Sequence, residues 1–466
     1  MNPRTPRQAE SPSMLKTRLL PALLAGLLLA PAVHAAGPGS LPGAAFVLGP
    51  VSHPHNPAGV YNPAAAAVPN SRHHIGLFEA GAGMELGDVD SLVDELDELQ
   101  ETLEDSSEFL EEFLAENAHL LADPNALMEA LEDHVDDTFG GFLERAEASG
   151  YVKGASYAAH PLTPALFRIP GREDALSLEY NLGTQMRLGV LSAPVTINDG
   201  GGSNDPDDWS LESDIALHVQ DADTRDLSLG YARPLMRHGG AVLLGGAKVR
   251  LIQGELNHAI LPLDGLEDDV MEAAADVIGN DTRATSQIGL DLGALWVTPY
   301  WRAGATLVNI NEPTLNYKAL GEDCAEKAGD AQVRCEAAAG FADSVDLEPS
   351  YTYGRQLRLE GAAHTLDEAW VAAGYLEANA VEDAFGDEYQ WAGVSVSSAP
   401  GSGWYPGFRM GYRTNLAGEK LSYVTTGLSF FSSVHLDIGY ALDSVEFDEE
   451  DYPRSLTFNL RAGIAF

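Results

Sequence analysis

The chain has 466 residues, with 27 Lys and Arg against 70 Asp and Glu and a formal net charge of −43. That surplus of negative charge repels polyanions and argues against nucleic acid as a partner. With 47 glycines and 45% hydrophobic residues, the composition is neither that of a disordered chain nor that of a helical membrane protein.

Lys16 and Arg18 precede an apolar run from Leu19 to Leu29, and small residues follow at Val33 and Ala35. This pattern predicts a signal peptide over residues 1–35, cleaved after about Ala35, and an exported mature protein. No later stretch reaches the roughly 18 consecutive apolar residues that a spanning helix needs, so any membrane span has to be built from strands.

Residues 36–74 form a Pro/Gly-rich segment that includes His53-Pro54-His55-Asn56-Pro57 and Asn62-Pro63-Ala64. Proline at this density prevents ladder pairing and predicts a turn-rich piece packed against something else. At this position Asn62, Pro63 and Ala64 resemble the N-terminal plug of FadL-like outer-membrane proteins. His53, His55, His73 and His74 are a weak candidate metal set, and no metal or other cofactor is expected.

Residues 75–86 read as a first strand, and residues 87–150 as an acidic helical hairpin. Leu92, Leu96, Leu99 and Leu103 recur at helical spacing within an acidic face, followed by Phe109, Leu110, Phe113 and Leu114. Asp123-Pro124 starts a second helix with the stripe Leu127, Leu131, Val135 and Phe139, which Gly140-Gly141 ends. The acidic face is either plain solvated surface or a docking surface for a basic partner.

From residue 151 to 466 the period is two, the mark of β-strands. Candidate strands run at 176–182, 186–190, 215–219, 227–231, 242–252, 288–296, 301–307, 357–361, 369–375, 389–396, 408–412, 424–430 and 436–442. Leu436, Ile438 and Tyr440 face one way, His435, Asp437 and Gly439 the other. Asp199-Gly200-Gly201-Gly202 with Asp205, Asp207 and Asp208 offers oxygen ligands, but its spacing matches no defined calcium loop. Cys324 and Cys335 lie in one polar stretch. In an oxidising compartment they predict a disulfide worth about 3 kcal/mol.

The last segment, LTFNLRAGIAF, places Leu456, Phe458, Leu460, Ala462, Ile464 and Phe466 on one face and Thr457, Asn459 and Arg461 on the other. This suits a strand between lipid and a polar lumen, although an edge strand of a soluble sandwich has the same alternation. The terminal Phe466 resembles the assembly signal of outer-membrane barrels. Counting back from it, long connections are expected at one end, around 443–453, 415–420, 380–387, 311–353 and 260–281. Short ones are expected at the other, around 431–433, 399–404, 364–366, 298–300 and 236–240. The glycine–aspartate connection at 199–205 falls on the unexpected side, so either a strand is miscounted or that loop is functional. The fold expected is an all-β transmembrane antiparallel outer-membrane β-barrel of about 14 strands, with the plug-like segment and the hairpin as additions.

A wider resemblance rests on the order of motifs: Asn62-Pro63-Ala64, a strand, Asp88-Val89-Asp90-Ser91-Leu92-Val93-Asp94-Glu95-Leu96-Asp97, Phe385-Gly386-Asp387-Glu388-Tyr389-Gln390, Met410-Gly411-Tyr412-Arg413-Thr414-Asn415, and Val434-His435-Leu436-Asp437-Ile438. Together, with the stretch from Met410 continuing through Leu416-Ala417, they resemble the conjugal transfer TraF-like family of outer-membrane proteins. With no Cys-x-x-Cys, the thioredoxin-like proteins of the same name are a different case. No Gly-x-Ser-x-Gly, His-Glu-x-x-His or phosphate-binding loop is present, and an enzyme is not expected.

Two functions stay open: a barrel with an envelope-assembly or conjugation-related role, and a FadL-like transporter for hydrophobic small molecules. Expected partners are outer-membrane lipid, the barrel-assembly machinery, and other envelope or conjugation proteins. Predicted inward positions Arg187, Glu179, Arg358, Glu360, Arg409, Arg413, Asp437 and Arg461 favour a closed, salt-bridged lumen. An apolar pocket formed by plug and hairpin would reverse that preference.

Overall fold

Alternation decides which face each strand shows, and in the computed structural model of the chain it produces a closed wall. The structure describes residues 60–69, 72–87, 102, 106–120, 124–141, 143, 145–146, 150–193, 195–198, 209–262, 283–398, 406–431, 433–447 and 450–466. The signal peptide, His53, His55, the stretch Asp88 to Asp97 and the glycine–aspartate loop lie outside the described residues. Fourteen strands pair antiparallel in a ring. In chain order they are β1 (His74–Leu86), β2 (Tyr151–Ala159), β3 (Ala175–Leu191), β4 (Ala216–His238), β5 (Ala241–Pro262), β6 (Arg283–Val297) and β7 (Trp301–Val308). Then follow β8 (Gln356–His364), β9 (Trp370–Glu377), β10 (Trp391–Ser398), β11 (Gly407–Asn415), β12 (Ser422–Phe430), β13 (Val434–Ala441) and β14 (Ser455–Ala465). The ring closes where β1 pairs with β14, from His74 opposite Ala465 to Glu85 opposite Ser455. Closure satisfies the backbone without an edge, as a membrane span requires.

One column is made of two pieces. β2 pairs with β1 and β3 as far as Ala159; after the turn at 160–164, the short strand Ala165–Arg168 resumes both pairings.

The wall has the inside-out pattern of a membrane barrel. Leu227, Leu229, Val249, Leu251, Leu290, Leu292, Val394, Val396 and Ile438 point out and are exposed, while Asp226, Lys248, Asp291, Arg409, Asp437 and Arg461 point in and are buried. Tyr231, Trp301, Trp370, Phe408 and Phe430 mark the outer rim near one end, with Tyr412 and Tyr440 toward the other.

Connections segregate by end. The β4–β5 turn is Gly239-Gly240, both with positive φ (56° and 83°), which suits a two-residue hairpin. The β6–β7, β8–β9 and β12–β13 connections share that tight-turn end. At the opposite end lie the helical insertion and the long β3–β4, β5–β6 and β7–β8 connections.

The strand list from the sequence needs two corrections: it omits β2 at Tyr151–Ala159, and it divides two long strands. The segments 176–182 and 186–190 belong to a single 17-residue strand, and 215–219 and 227–231 to a single 23-residue strand. Central polar residues such as Gln185 and Asp223 to Asp226 break the apolar alternation without breaking the strand. With those mergers the β3–β4 connection moves to the long-loop end, and no exception remains. The barrel thus has a tall side, where β4 and β5 have 23 and 22 residues, and a short side where β7 to β10 have eight or nine.

The insertion contains α1 (Ser106–Glu116) and α2 (Pro124–Val135). Leu110, Phe113, Leu127, Leu131, Val135 and Phe139 form one core with Val190, Trp209 and Ile215. Val190 and the adjoining Leu217 occupy outward positions of β3 and β4, so the hairpin lies against the outer face of the tall side, not in the lumen. The β7–β8 connection holds α3 (Asp330–Gly340) and the disulfide Cys324–Cys335, with Cα atoms 5.4 Å apart. Ala338 and Phe341 of this connection cover Leu191, Ala216 and Ile260 on the inner face.

Candidate functional site in the barrel lumen

The plug-like segment enters the lumen as a single 3-10 turn, Pro63–Ala67, with Asn62 as its cap and Pro63 at its first position. Asn62 Oδ1 accepts the Ala64 N–H at 3.0 Å; its Nδ2 donates to Glu360 Oε1 at 2.7 Å and to the Ala294 carbonyl at 3.2 Å. Ala64 to Ala67 are at most 1% exposed and pack on Ala175, Ala232, Leu244 and Leu295. Room for the turn comes from three inward glycines. A Cβ at Gly246 would overlap the Pro63–Ala64 peptide, one at Gly293 the Asn62 side chain, and one at Gly304 would lie 2.9 Å from Asn62 Nδ2. Lys248 completes the seat: its Nζ donates to the Val60 carbonyl at 2.5 Å and pairs with Glu179 Oε1 at 2.9 Å, both side chains 5% exposed.

On the short side the lumen is filled by charge. Arg409, wholly buried, donates from Nε (2.9 Å) and Nη2 (2.5 Å) to Asp437 Oδ1, and from Nη1 to Ser429 Oγ at 2.6 Å. Asn459 Nδ2 reaches Asp437 Oδ2 at 3.4 Å, and the Tyr157 hydroxyl donates to Asn459 from across β1. Arg461 lies in register with Glu79 on one side and His435 on the other. Arg358 pairs with Glu377 at 3.2 Å, and the Arg413 guanidinium lies between the Trp391 and Tyr423 rings, 4.4 and 4.6 Å from their centres.

Toward the long-loop end, the β9–β10 connection, residues 378–390, turns into the barrel. Its short ladder Val381–Glu382 with Glu388–Tyr389 presents Asp383, Ala384 and Phe385 as a buried tip. Asp383 Oδ1 accepts the N–H groups of Phe385 (2.9 Å) and Asp387 (3.0 Å). Lys153 of β2 pairs with Asp387 and lies 3.8 Å from Asp383 Oδ2; Arg187 of β3 lies 3.9 Å from Asp387. Burial raises the Asp383 carboxyl to about 6, against the opposing pull of Lys153, and likewise pushes the Tyr317 hydroxyl up.

The residues singled out from sequence therefore fall into separate groups. Arg409 and Asp437 meet, with Arg461 on the adjacent strand; Glu360 meets Asn62; Arg187 and Arg413 flank the inturned loop; Arg358 sits apart on Glu377. Phe466 lies outside the lumen, its N–H on the His73 carbonyl at 3.0 Å and its ring stacked on that histidine. Lys153, Lys248, Glu377 and Asp383 carry no motif that singles them out, although Lys248 stands at an inward position within the alternation of Val249 and Leu251. The three glycines carry no sequence signal of their own.

Three solved structures are similar in fold. A toluene transporter of Ralstonia pickettii, TbuX, has 11% identity and a TM-score of 0.40, covering 92% of this chain and 99% of that one. A FadL homologue of Pseudomonas aeruginosa has 12% identity and a TM-score of 0.41, covering 93% and 100%. A TodX deltaS2S3 mutant monoaromatic hydrocarbon channel has 11% identity and a TM-score of 0.41, covering 91% and 98%. No curated protein matches the chain. The family model described as "F plasmid transfer operon, TraF, protein" matches residues 59–376, most of the chain from the plug-like segment to β9, and the chain belongs to that family.

Proposed function

We propose that this protein is a non-enzymatic outer-membrane β-barrel that acts in the cell envelope as a closed barrel, in an assembly or conjugal-transfer-related role. The observation that carries this reading is the buried charge network of Arg409, Asp437, Asn459 and Tyr157. Side chains of β2, β11, β13 and β14 are hydrogen-bonded there along one arc of the inner wall, with Arg409 and Asp437 inaccessible, which supports a packed rather than an open lumen. The long connections and the acidic helical hairpin gathered at one end supply the surface for partners.

A second reading, a transporter for hydrophobic small molecules, is favoured by the Asn62–Ala67 turn, which a few side-chain bonds and three glycines hold inside the barrel. Planar-bilayer recording and hydrophobe titration of the purified, heat-modifiable protein separate the two. The closed-barrel reading expects no steady conductance and no saturable binding. Saturable binding of a hydrophobe that is lost on Asn62→Ala would replace it with the transporter.

A further inference from the structure

We propose that the β9–β10 connection is a gate across the long-loop end of the lumen, latched by Lys153. The connection springs from β9 and β10, yet its tip is held by strands far around the ring. Ala384 and Phe385 pack with Ala222, Ile252 and Leu256 on β4 and β5, and with Leu315, Tyr317, Tyr351 and Tyr353 of the β7–β8 connection. The Tyr317 hydroxyl donates to the Ala384 carbonyl. Lys153, on β2, pairs with Asp387, donates to the Tyr389 hydroxyl at 3.2 Å, and lies over the Tyr389 ring. A segment anchored on both sides of a ring that it does not belong to bridges the lumen.

Two features make this bridge releasable. Glu85 stands in register with Lys153 across the β1–β2 pair, so the lysine keeps a carboxylate neighbour when the loop leaves, and Asp383 and Asp387 pass to water. Neither state strands a buried charge, the condition that makes most buried ion pairs costly to break. A cavity of about 80 Å³ already lies behind the tip, between Lys153, Asp383, Phe385, Arg413 and Thr457, and Gly386, with φ of +87°, provides the turn that the tip needs. The gate presupposes the barrel but not its closure by the charge network.

Labelling by a membrane-impermeant maleimide tests the gate on the full chain in proteoliposomes, because both native cysteines are in the disulfide. Thr457→Cys places a thiol behind the tip, and Ser106→Cys places one at the buried start of α1, outside the lumen, as a control. Lys153→Met should raise the labelling rate at position 457 by about tenfold, the effect of ~1.4 kcal/mol removed from the latched state. It should leave position 106 unchanged, and Lys153→Arg should keep the slow rate. A chain lacking residues 382–388 should label at least as fast as Lys153→Met. Equal acceleration at 106 would show general loosening and overturn the gate, as would unchanged labelling at 457 in both the Met variant and the deletion. Acceleration by the deletion alone would overturn Lys153 as its latch. Steady conductance of the unaltered protein would instead strike at the closed-barrel reading, a separate failure.

Discussion

The two sides of the lumen are filled by opposite means. Around β5 to β7, missing side chains do the work: Gly246, Gly293 and Gly304 let a backbone turn lie against the wall, and Asn62 with Glu360, Lys248 with the Val60 carbonyl and Arg168 with the Val68 carbonyl are among the polar bonds that fix it. Around β11 to β14, large charged side chains are packed until Arg409 and Asp437 are inaccessible. The first kind of filling depends on shape and fails by collision. The second depends on charge compensation and fails when one partner is lost.

The sharpest way to break the comparison is Arg409→Leu. It removes the charge partner of the buried Asp437 and leaves it Asn459, while Ser429 keeps His435; removal of one partner of a buried pair costs about 3–5 kcal/mol. Denaturant unfolding in detergent, followed by loss of heat-modifiability, measures it. The double variant Arg409→Met with Asp437→Leu should recover most of that loss, because no charge is then left uncompensated. A double variant no more stable than the single would mean that shape, not charge, dominates here too.

On the glycine side, Gly246→Ala should cost about 1–3 kcal/mol, the usual range for overpacking against backbone. The cost should vanish in a chain from which the Asn62–Ala67 turn has been deleted, since that turn is what the new methyl meets. An undiminished cost after deletion would move the strain to the wall itself and undo the account of the seat.

This contrast also explains what the sequence shows and what it hides. Inward charges are legible because the strand period is two: once Leu436 and Ile438 face lipid, Asp437 has to face the lumen, and the same logic reaches Arg409, Arg413 and Arg461. The barrel and its closure at Phe466 follow from the same alternation and from the spacing of connections. The apolar pattern divides the tall strand β4 because Asp223, Arg225 and Asp226 interrupt it where β4 leaves the belt; there Arg225 pairs with Glu255 at 3.2 Å on the outer face. The glycine seat could not be read at all, since a glycine in a strand looks the same whether it meets a turn, a side chain or nothing. Contacts such as Lys153 with Asp387 link positions more than 200 residues apart, and nothing in local spacing announces them.

The smallest expected effect concerns Asp383. Its carboxyl is raised from 3.8 to about 6, chiefly by burial, with Asp387 adding to the rise and Lys153 opposing it together with the N–H groups of Asp387 and Phe385. A carboxyl raised on docking favours the docked loop most when protonated. That contribution is complete below 3.8, the value in the released state, and is lost as pH climbs through about 6. Hydrogen exchange of the amides at 378–390, corrected for intrinsic rates, should therefore show stronger protection at pH 5 than at pH 7.5. Asp383→Asn should remove the difference without loosening the tip, because both N–H bonds go to Oδ1, an oxygen that asparagine retains. If the variant keeps the pH dependence, Asp383 is not the titrating group. If the variant instead loses protection at both pH values, the charge on Asp383 holds the tip down, and the desolvation account of this loop is wrong.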